Sequence, residues 1–79
     1  MKPIDLSRHA NRRMQLYGIT IQQVTQALAE PEKVVPSIKK RYNAYKKIGE
    51  RFLRVTYVEE EQRYFIVTVT PRKRFKEVL

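Results

Sequence analysis

An arginine in the second half of the chain lies within a stretch of apolar residues. Arg54 stands between Leu53 and Val55, in a segment whose composition favours a β-strand. A guanidinium held within a strand needs either a carboxylate partner or a bound anion, because removing its charge from water is costly. A glutamate on a neighbouring strand would satisfy the first requirement, and a phosphate group of a ligand would satisfy the second. The sequence leaves both explanations open.

Two clusters of consecutive basic residues flank this segment. The first comprises residues 39–41, and the second comprises Arg72, Lys73 and Arg74. Three consecutive charges most often form a solvated loop, but two such clusters on either side of Arg54 favour a surface that binds phosphate groups. The composition points the same way, since 17 lysines and arginines against 8 aspartates and glutamates give a net charge of +9. Such a balance favours a polyanionic partner, above all nucleic acid.

The single histidine, His9, is a candidate for proton transfer. It stands four residues before Arg13, so both side chains share one face of a helix. A lone histidine on a helix surface is more often solvated than catalytic, and this alternative stays open. With one histidine and no cysteine, the chain offers neither a multi-histidine nor a thiolate metal site. We therefore expect no metal and no cofactor.

Length and composition predict one small domain. A chain of 79 residues with an apolar fraction of 42% is sufficient for a single folded core. Its longest apolar runs are far too short to cross a bilayer, and residues 1–5 lack the apolar stretch of a secretory signal. We therefore expect a single domain, residues 1–79, that resides in the cytoplasm and does not associate with a membrane.

The first part of the chain has the spacing of two helices. Ser7 is suited to cap a helix over residues 8–17, and Gly18 is suited to end it. Thr20 and Gln23 then have the spacing of a capping box that starts a second helix. The two helices are joined by barely two residues, so they should form a tight helical pair.

After residue 31 the apolar pattern changes to a period of two, which predicts strands. The segments with this pattern are residues 33–38, 42–48, 51–59 and 63–70. Gly49 and Glu50 provide a two-residue turn between the second and third segments. The sequence therefore predicts an α+β fold, in which two N-terminal helices pack on a four-stranded antiparallel sheet.

Alternation in the last two segments predicts which side of the sheet the helices cover. We expect the covered side to carry Leu53, Val55, Tyr57, Phe65, Val67 and Val69. We expect the opposite side to carry Phe52, Arg54, Thr56, Val58, Tyr64, Ile66, Thr68 and Thr70. Such an uncovered side, which mixes aromatic rings, hydroxyls and a guanidinium, is suited to unpaired RNA.

Several residue patterns resemble known bacterial toxins. Ser7-Arg8-His9-Ala10, Arg13-Met14, Tyr17-Gly18-Ile19, Val24, Leu28 and Pro31 resemble the opening of small proteins allied to the BrnT toxins. Residues 51–57 followed by residues 64–74 resemble the last strand pair of the wider RelE/ParE toxin superfamily. The resemblance extends from Ser7 to Phe75, and it rests on the order and spacing of all the patterns together.

The resemblance implies a metal-independent endoribonuclease that is silenced by an antitoxin protein. Such enzymes cleave mRNA by attack of the ribose 2′-hydroxyl on the adjacent phosphate, which requires a base, an acid and cations. By this resemblance Arg54 would hold the scissile phosphate, and Arg72 or Arg74 would supply a second cation. His9, with Arg13, would transfer a proton. The candidate RNA-binding residues are Tyr45, Lys46, Tyr64, Thr68, Thr70 and Lys73.

The chain also departs from the RelE pattern. Phe75 occupies the place where many RelE-like toxins carry a tyrosine, and it cannot transfer a proton. The strand that usually opens the RelE order is at best residues 3–6 here. Two alternatives therefore stay open, namely a non-catalytic module that binds RNA or an acidic protein, and a ParE-like inhibitor of DNA gyrase.

Overall fold

Five strands and two helices make up the part of the chain that the computed structural model describes, residues 1–72. In chain order the elements are β1 (Ile4–Leu6), α1 (Arg8–Tyr17), α2 (Ile21–Ala29), β2 (Lys33–Pro36), β3 (Tyr42–Ile48), β4 (Arg51–Glu59) and β5 (Tyr64–Arg72). The helices lie on one side of the sheet, α1 against β5 and β1, and α2 against β3 and β4. We call this side of the sheet the covered face and the other side the open face.

The helix ends confirm the capping predictions. The Ser7 hydroxyl accepts a hydrogen bond from the Ala10 amide, and Gly18 adopts the left-handed conformation that ends α1, with φ of 66°. Thr20 and Gln23 form the predicted capping box at the start of α2. These caps satisfy amide groups that have no partner within their own helix, so each helix is defined locally.

The predicted four-stranded antiparallel sheet is wrong. The sheet has five strands in the order β1-β5-β4-β3-β2, and β1 runs parallel to β5 while the other pairs are antiparallel. β1 has only three residues, which is too short for an alternating pattern to predict a strand. It enters the sheet because Ile4 and Leu6 pack against the core while the backbone of β1 pairs with β5.

A bulge between β4 and β5 overturns the predicted side-chain orientation in the first half of β5. Thr56 pairs with Thr68, but the next residue of β4, Tyr57, pairs with Ile66, so Val67 is an extra residue. Ile66 therefore lies on the covered face and is fully buried, whereas sequence alternation predicted it on the open face. Phe65, predicted to be covered, pairs with Val58 on the open face. Strict alternation fails here because an extra residue reverses the parity of a strand.

The core lies between the helices and the covered face. Its buried members are Ala10, Met14, Val24, Ala27, Ala44, Leu53, Val55, Tyr57, Ile66 and Val69. The helical members recur at the spacing of one helix face, and those on β4 recur at every second residue. Since the helices cover only one side of the sheet, the side chains on the open face depend on one another for burial.

Backbone carbonyls at the outer edge of β5 are capped by α1 and the residue before it. β1 pairs only with residues 64–66, so no strand within residues 1–72 lies beside the rest of that edge. The Ser7 hydroxyl donates to the Val67 carbonyl at 2.7 Å, and Arg13 Nε donates to the Val69 carbonyl at 2.9 Å. Pro71 is tolerated within β5 because its missing N–H would point to this same edge. Arg13 therefore stabilises an unpaired sheet edge.

The turn between β2 and β3 contains two lysines in a left-handed conformation. Lys39 and Lys40 have φ of 57° and 61°, and the Arg41 amide donates to the Ile38 carbonyl at 3.1 Å. This is the pattern of a type I′ turn, which favours asparagine and glycine at its two central positions. A side chain with a Cβ is strained there, at a cost of roughly 1–2 kcal/mol per residue.

We expect Arg13→Ala to lower the free energy of unfolding by about 1–3 kcal/mol, because the Val69 carbonyl loses its charged donor. His9→Ala is the matched control on the same helix, and we expect it to change the free energy by less than about 0.5 kcal/mol. Urea denaturation followed by circular dichroism measures both. Equal effects of the two substitutions would contradict the structural role of Arg13.

We expect the double substitution Lys39→Asn and Lys40→Gly to raise the free energy of unfolding by about 1 kcal/mol. Relief of strain at both positions is partly offset by the greater freedom of glycine in the unfolded chain. The control, Lys39→Gln with Lys40→Gln, removes the same charges but keeps the strain. Thermal unfolding of the three proteins separates these causes, and equal stabilisation by both pairs would mean that charge repulsion, rather than strain, is relieved.

Candidate nucleic-acid interface

Strand pairing arranges the side chains of the open face in rows that run across the sheet. Arg54 lies on this face because its neighbours in β4, Leu53 and Val55, both belong to the core. The row through Arg54 contains Lys33, Tyr45, Arg54 and Thr70, and the next row towards the end of β5 contains Lys47, Phe52 and Arg72. The row on the other side contains Val35, Asn43, Thr56 and Thr68. Four cations therefore occupy two adjacent rows.

Among residues 1–72, the guanidinium of Arg54 forms one long hydrogen bond. Its terminal nitrogen donates to the Thr70 hydroxyl at 3.4 Å, and its Nε is buried without a hydrogen-bond partner. Within residues 1–72 no carboxylate forms an ion pair with Arg54. The glutamate partner that the sequence left open is therefore not found in the described part of the chain. A buried N–H without an acceptor costs free energy. Because Nε is inaccessible, a bound anion would contact the terminal nitrogens of this half-buried guanidinium.

Arg72 has the same unsatisfied group as Arg54. Its Nε is also buried without a hydrogen-bond partner among the described residues. Arg54 pairs with Thr70, two residues before Arg72, so the two arginines are diagonal neighbours on adjacent strands. The Cα atoms of such neighbours are about 7–8 Å apart, within reach of two long side chains that converge on one ligand. This pair, Arg54 with Arg72, is the candidate anion site.

The central residues of the open face are more buried than the sequence predicted. Tyr45 is only 5% exposed, although it lies in the same row as Arg54. The Thr56 hydroxyl donates to the Asn43 Oδ1 at 2.6 Å, so these two polar groups satisfy each other. Little of the Tyr45 ring is accessible to a stacking base. The residues of this face that keep partial exposure beside the anion site include Thr68 and Thr70.

Two predicted RNA-binding residues lie on the covered face. Lys46 pairs with Leu53, and its Nζ donates to the Glu30 carbonyl at 3.0 Å and lies 3.6 Å from Glu32. It therefore ties β3 to the end of α2. Tyr64 packs against the core, with its ring edge-on to that of Tyr57 at 5.8 Å. The prediction of Tyr64 on the open face is wrong because the bulge reverses the parity of β5.

His9 and Arg13 are not brought together with the anion site. α1 lies against the covered face and the outer edge of β5, whereas the Arg54 side chain lies on the open face. Arg13 bonds the Val69 carbonyl and also lies over the Tyr17 ring at 5.0 Å. His9 is exposed and has no hydrogen bond or ion pair with the described residues. Its role in proton transfer stays a prediction that no contact with Arg54 supports.

Lys33 and Lys47 belong to the basic rows and were missed as site residues. The Gly49-Glu50 turn sets the pairing of β3 with β4, and this register puts Lys47 opposite Phe52. The turn was predicted from the sequence, so Lys47 could have been found by counting back from it. Lys33 could not have been found in this way, because its place in the row depends on how β2 pairs with β3.

The other end of the open face is neutralised by acids. Arg63 lies over the Phe65 ring at 4.8 Å, and it forms ion pairs with Glu60 and with Asp5, the latter at 3.1 Å. Hydrogen bonds to Glu60 and Asp5 raise the pKa of Arg63 above its usual range. The pKa of Tyr57, on the covered face, is raised by burial and by the charge of Glu59. Neither shifted group belongs to the anion site.

The described residues also limit which groups can belong to the site. Lys73 and Arg74, predicted to contribute, lie outside the described residues. Within residues 1–72, no group of three histidine, cysteine, aspartate or glutamate side chains is arranged to hold a metal ion. No helix in the same range is long and apolar enough to cross a membrane.

Comparison with protein families gives a match over most of the chain. The match covers residues 6–71, and so includes both helices and the strands that carry Arg54 and its row. No curated protein and no solved structure matches the chain. Because the family match extends over well more than half of its length, this chain belongs to the family described as a domain of unknown function, DUF4258.

Proposed function

We propose that the protein binds single-stranded RNA on its open face, with a phosphate group held between Arg54 and Arg72. The observation that carries this proposal is the pair of neighbouring, half-buried guanidiniums, neither of which has an ion pair or a partner for its Nε among residues 1–72. A phosphate offers several acceptor oxygens and a negative charge, so one group can bond both guanidiniums. Thr70, which already contacts Arg54, adds a hydroxyl beside the same phosphate.

The distribution of charge supports a polyanionic partner. The ion pairs among the described residues join Lys2 with Glu59, Lys46 with Glu32, and Arg63 with Asp5 and Glu60, and none of them involves a cation of the basic rows. The Glu32 carboxylate also accepts a hydrogen bond from the Lys47 backbone amide at 2.8 Å. Lys33 and Lys47 have no ion pair with a described carboxylate. The net charge of +9 therefore includes an uncompensated cluster of cations on one part of the open face. Such a cluster attracts a chain of phosphates more strongly than a single small anion.

The shape of the surface favours a single strand over a duplex. Side chains that read duplex DNA are usually presented on a helix or ribbon that enters a groove. Here the cations lie on the open side of a sheet, in two rows across adjacent strands. A flexible strand can follow such a surface and bring successive phosphates to it.

A metal-independent endoribonuclease of a toxin–antitoxin pair is the more specific version of this proposal. Two guanidiniums on one phosphate would stabilise the charge that develops when the 2′-hydroxyl attacks. The three-residue strand β1 supports the likeness to RelE/ParE toxins, whose fold usually opens with a strand. In this proposal the protein acts on mRNA in the cytoplasm, and an antitoxin protein silences it. BrnT-like and RelE/ParE kinship is part of the proposal.

We expect Arg54→Gln combined with Arg72→Gln to weaken RNA binding by tenfold or more, because two phosphate contacts are lost. The slope of log affinity against log salt concentration should fall by about 2, or about 1 for each cation removed. Fluorescence anisotropy with a short, unstructured, labelled RNA measures both quantities. Arg63→Gln with Lys2→Gln is the control, since it removes equal charge from the acid-paired end of the sheet. Equal losses in the two double variants would refute a localised phosphate site.

The nuclease hypothesis predicts that purified protein cleaves a defined RNA in the presence of EDTA and leaves 2′,3′-cyclic phosphate ends. Arg54→Gln should lower the cleavage rate by roughly a hundredfold or more, as expected for loss of a group that stabilises transition-state charge. His9→Ala tests proton transfer, and an unchanged rate would exclude this role. If the RNA is bound but not cleaved, the binding proposal stands and the nuclease hypothesis is refuted. Blocked gyrase supercoiling with RNA intact would favour the ParE-like alternative.

A further inference from the structure

A small groove lies at the end of the sheet where the turn between the helices meets the β3–β4 hairpin. Its volume is about 150 Å³, and its apolar walls include Tyr17, Ile19, Ile48, Leu53 and Pro71. An apolar cavity of similar size holds one benzene molecule, so this groove is large enough for an aromatic ring but too small for a folded peptide segment. The size therefore favours a single planar group.

One wall of the groove offers an aromatic ring that is already held in place. Tyr17 is the last residue of α1, and it remains 46% exposed. The guanidinium of Arg13 lies over its ring at 5.0 Å, while Arg13 itself is fixed to the Val69 carbonyl. A ring restrained in this way loses little conformational freedom when a ligand stacks on it. Tyr17 is therefore suited to bind a flat aromatic group.

A cation stands on the rim of the same groove. Arg51 lines it, is exposed, and has no ion pair with a carboxylate among residues 1–72. An aromatic wall with an unpaired guanidinium beside it matches a planar ring that carries a nearby phosphate. An aliphatic ligand would leave the charge of Arg51 without a partner.

The groove and the candidate anion site are formed by consecutive residues of the same two strands. Pro71 and Leu53 line the groove, and the next residues in their strands are Arg72 and Arg54. Successive side chains of a strand point to opposite faces and are separated by about 3.4 Å along it. A strand of RNA that passes round the end of the sheet can thus contact the groove and the anion site in succession.

We propose that this groove takes one unpaired nucleobase, stacked on Tyr17, while Arg51 binds the phosphate of the same nucleotide. The inference rests on the proposed RNA binding and adds a base-binding position to it. The base enters from the end of the sheet, and the adjoining phosphate of the strand lies on Arg54 and Arg72. Recognition by stacking accepts any of the four bases, because each has a planar aromatic face.

The test compares AMP with ribose 5-phosphate, which carries the phosphate without the base. We expect the full chain to bind AMP more tightly by roughly tenfold, as base–aromatic stacking provides. NMR titration gives both affinities and shows whether the Tyr17 ring resonances move. Tyr17→Ala should abolish the difference between the two ligands, and Tyr17→Phe should retain it because the ring remains. Leu16→Ala is the matched control, since this neighbour is 71% exposed and does not line the groove.

The outcomes separate this inference from the proposed function. Equal affinities of the unaltered protein for AMP and ribose 5-phosphate, or Tyr17 resonances that stay unchanged at saturation, would overturn the base-binding position. If Arg54→Gln with Arg72→Gln still weakened RNA binding, the proposed function would stand without it. The protein could also prefer AMP through the Tyr17 ring and yet fail to bind RNA. That result would support the groove as a nucleotide site and refute the proposed function. Circular dichroism melting checks that each variant is folded.

Discussion

The position of one extra residue in β5 decides which side chains reach solvent. Before the bulge Ile66 faces the core and after it Val69 faces the core, although the two are three positions apart and would face opposite sides of a regular strand. Without the bulge, one of these two apolar side chains would lie on the open face, or Thr70 and Arg72 would turn towards the helices. Burial of Ile66 and Val69 together therefore requires that Arg72 lie beside Arg54 on the open face. The anion site is thus a consequence of how the core is packed. The carbonyl that the bulge exposes at Val67 is satisfied by Ser7, so the capping residue of α1 also supports the bulge.

The charges of the open face are divided between its two ends. At the end near the β4–β5 turn, Asp5 and Glu60 hold Arg63 in ion pairs. At the other end, Arg54 and Arg72 have no such partner among residues 1–72, and Lys33 and Lys47 lie in the same rows. A surface divided in this way orients a polyanion, because attraction is concentrated on one half. Arg63, which follows the acidic turn, is a structural ion-pair partner, whereas Arg54, between Leu53 and Val55, is a candidate ligand-binding group.

The separation of the molecule into two layers limits which residues can act together. The helices of the covered face place Arg13 at the edge of β5, where it satisfies a carbonyl, and leave His9 exposed, with no partner in the described part of the chain. Neither side chain contacts the arginines of the open face. At the groove at the end of the sheet both layers are accessible, since helix residue Tyr17 and strand residue Pro71 both line it. This end of the sheet combines an aromatic ring with the exposed cation Arg51.

The sequence by itself determined the features that depend on neighbouring residues. Ser7, Gly18 and the Thr20–Gln23 pair define both helices through hydrogen bonds that span only a few residues, and Gly49 sets the β3–β4 hairpin. The position of Arg54 on the open face also followed, because β4 alternates regularly. Only the tertiary structure decided the features that depend on distant residues. The three residues of β1 are too few to show a period, and they join the sheet beside β5, at the other end of the described chain. The bulge depends on core packing across β4 and β5, and the placement of Arg72 beside Arg54 depends on the bulge. These features are set by contacts between different elements, so no local sequence pattern shows them.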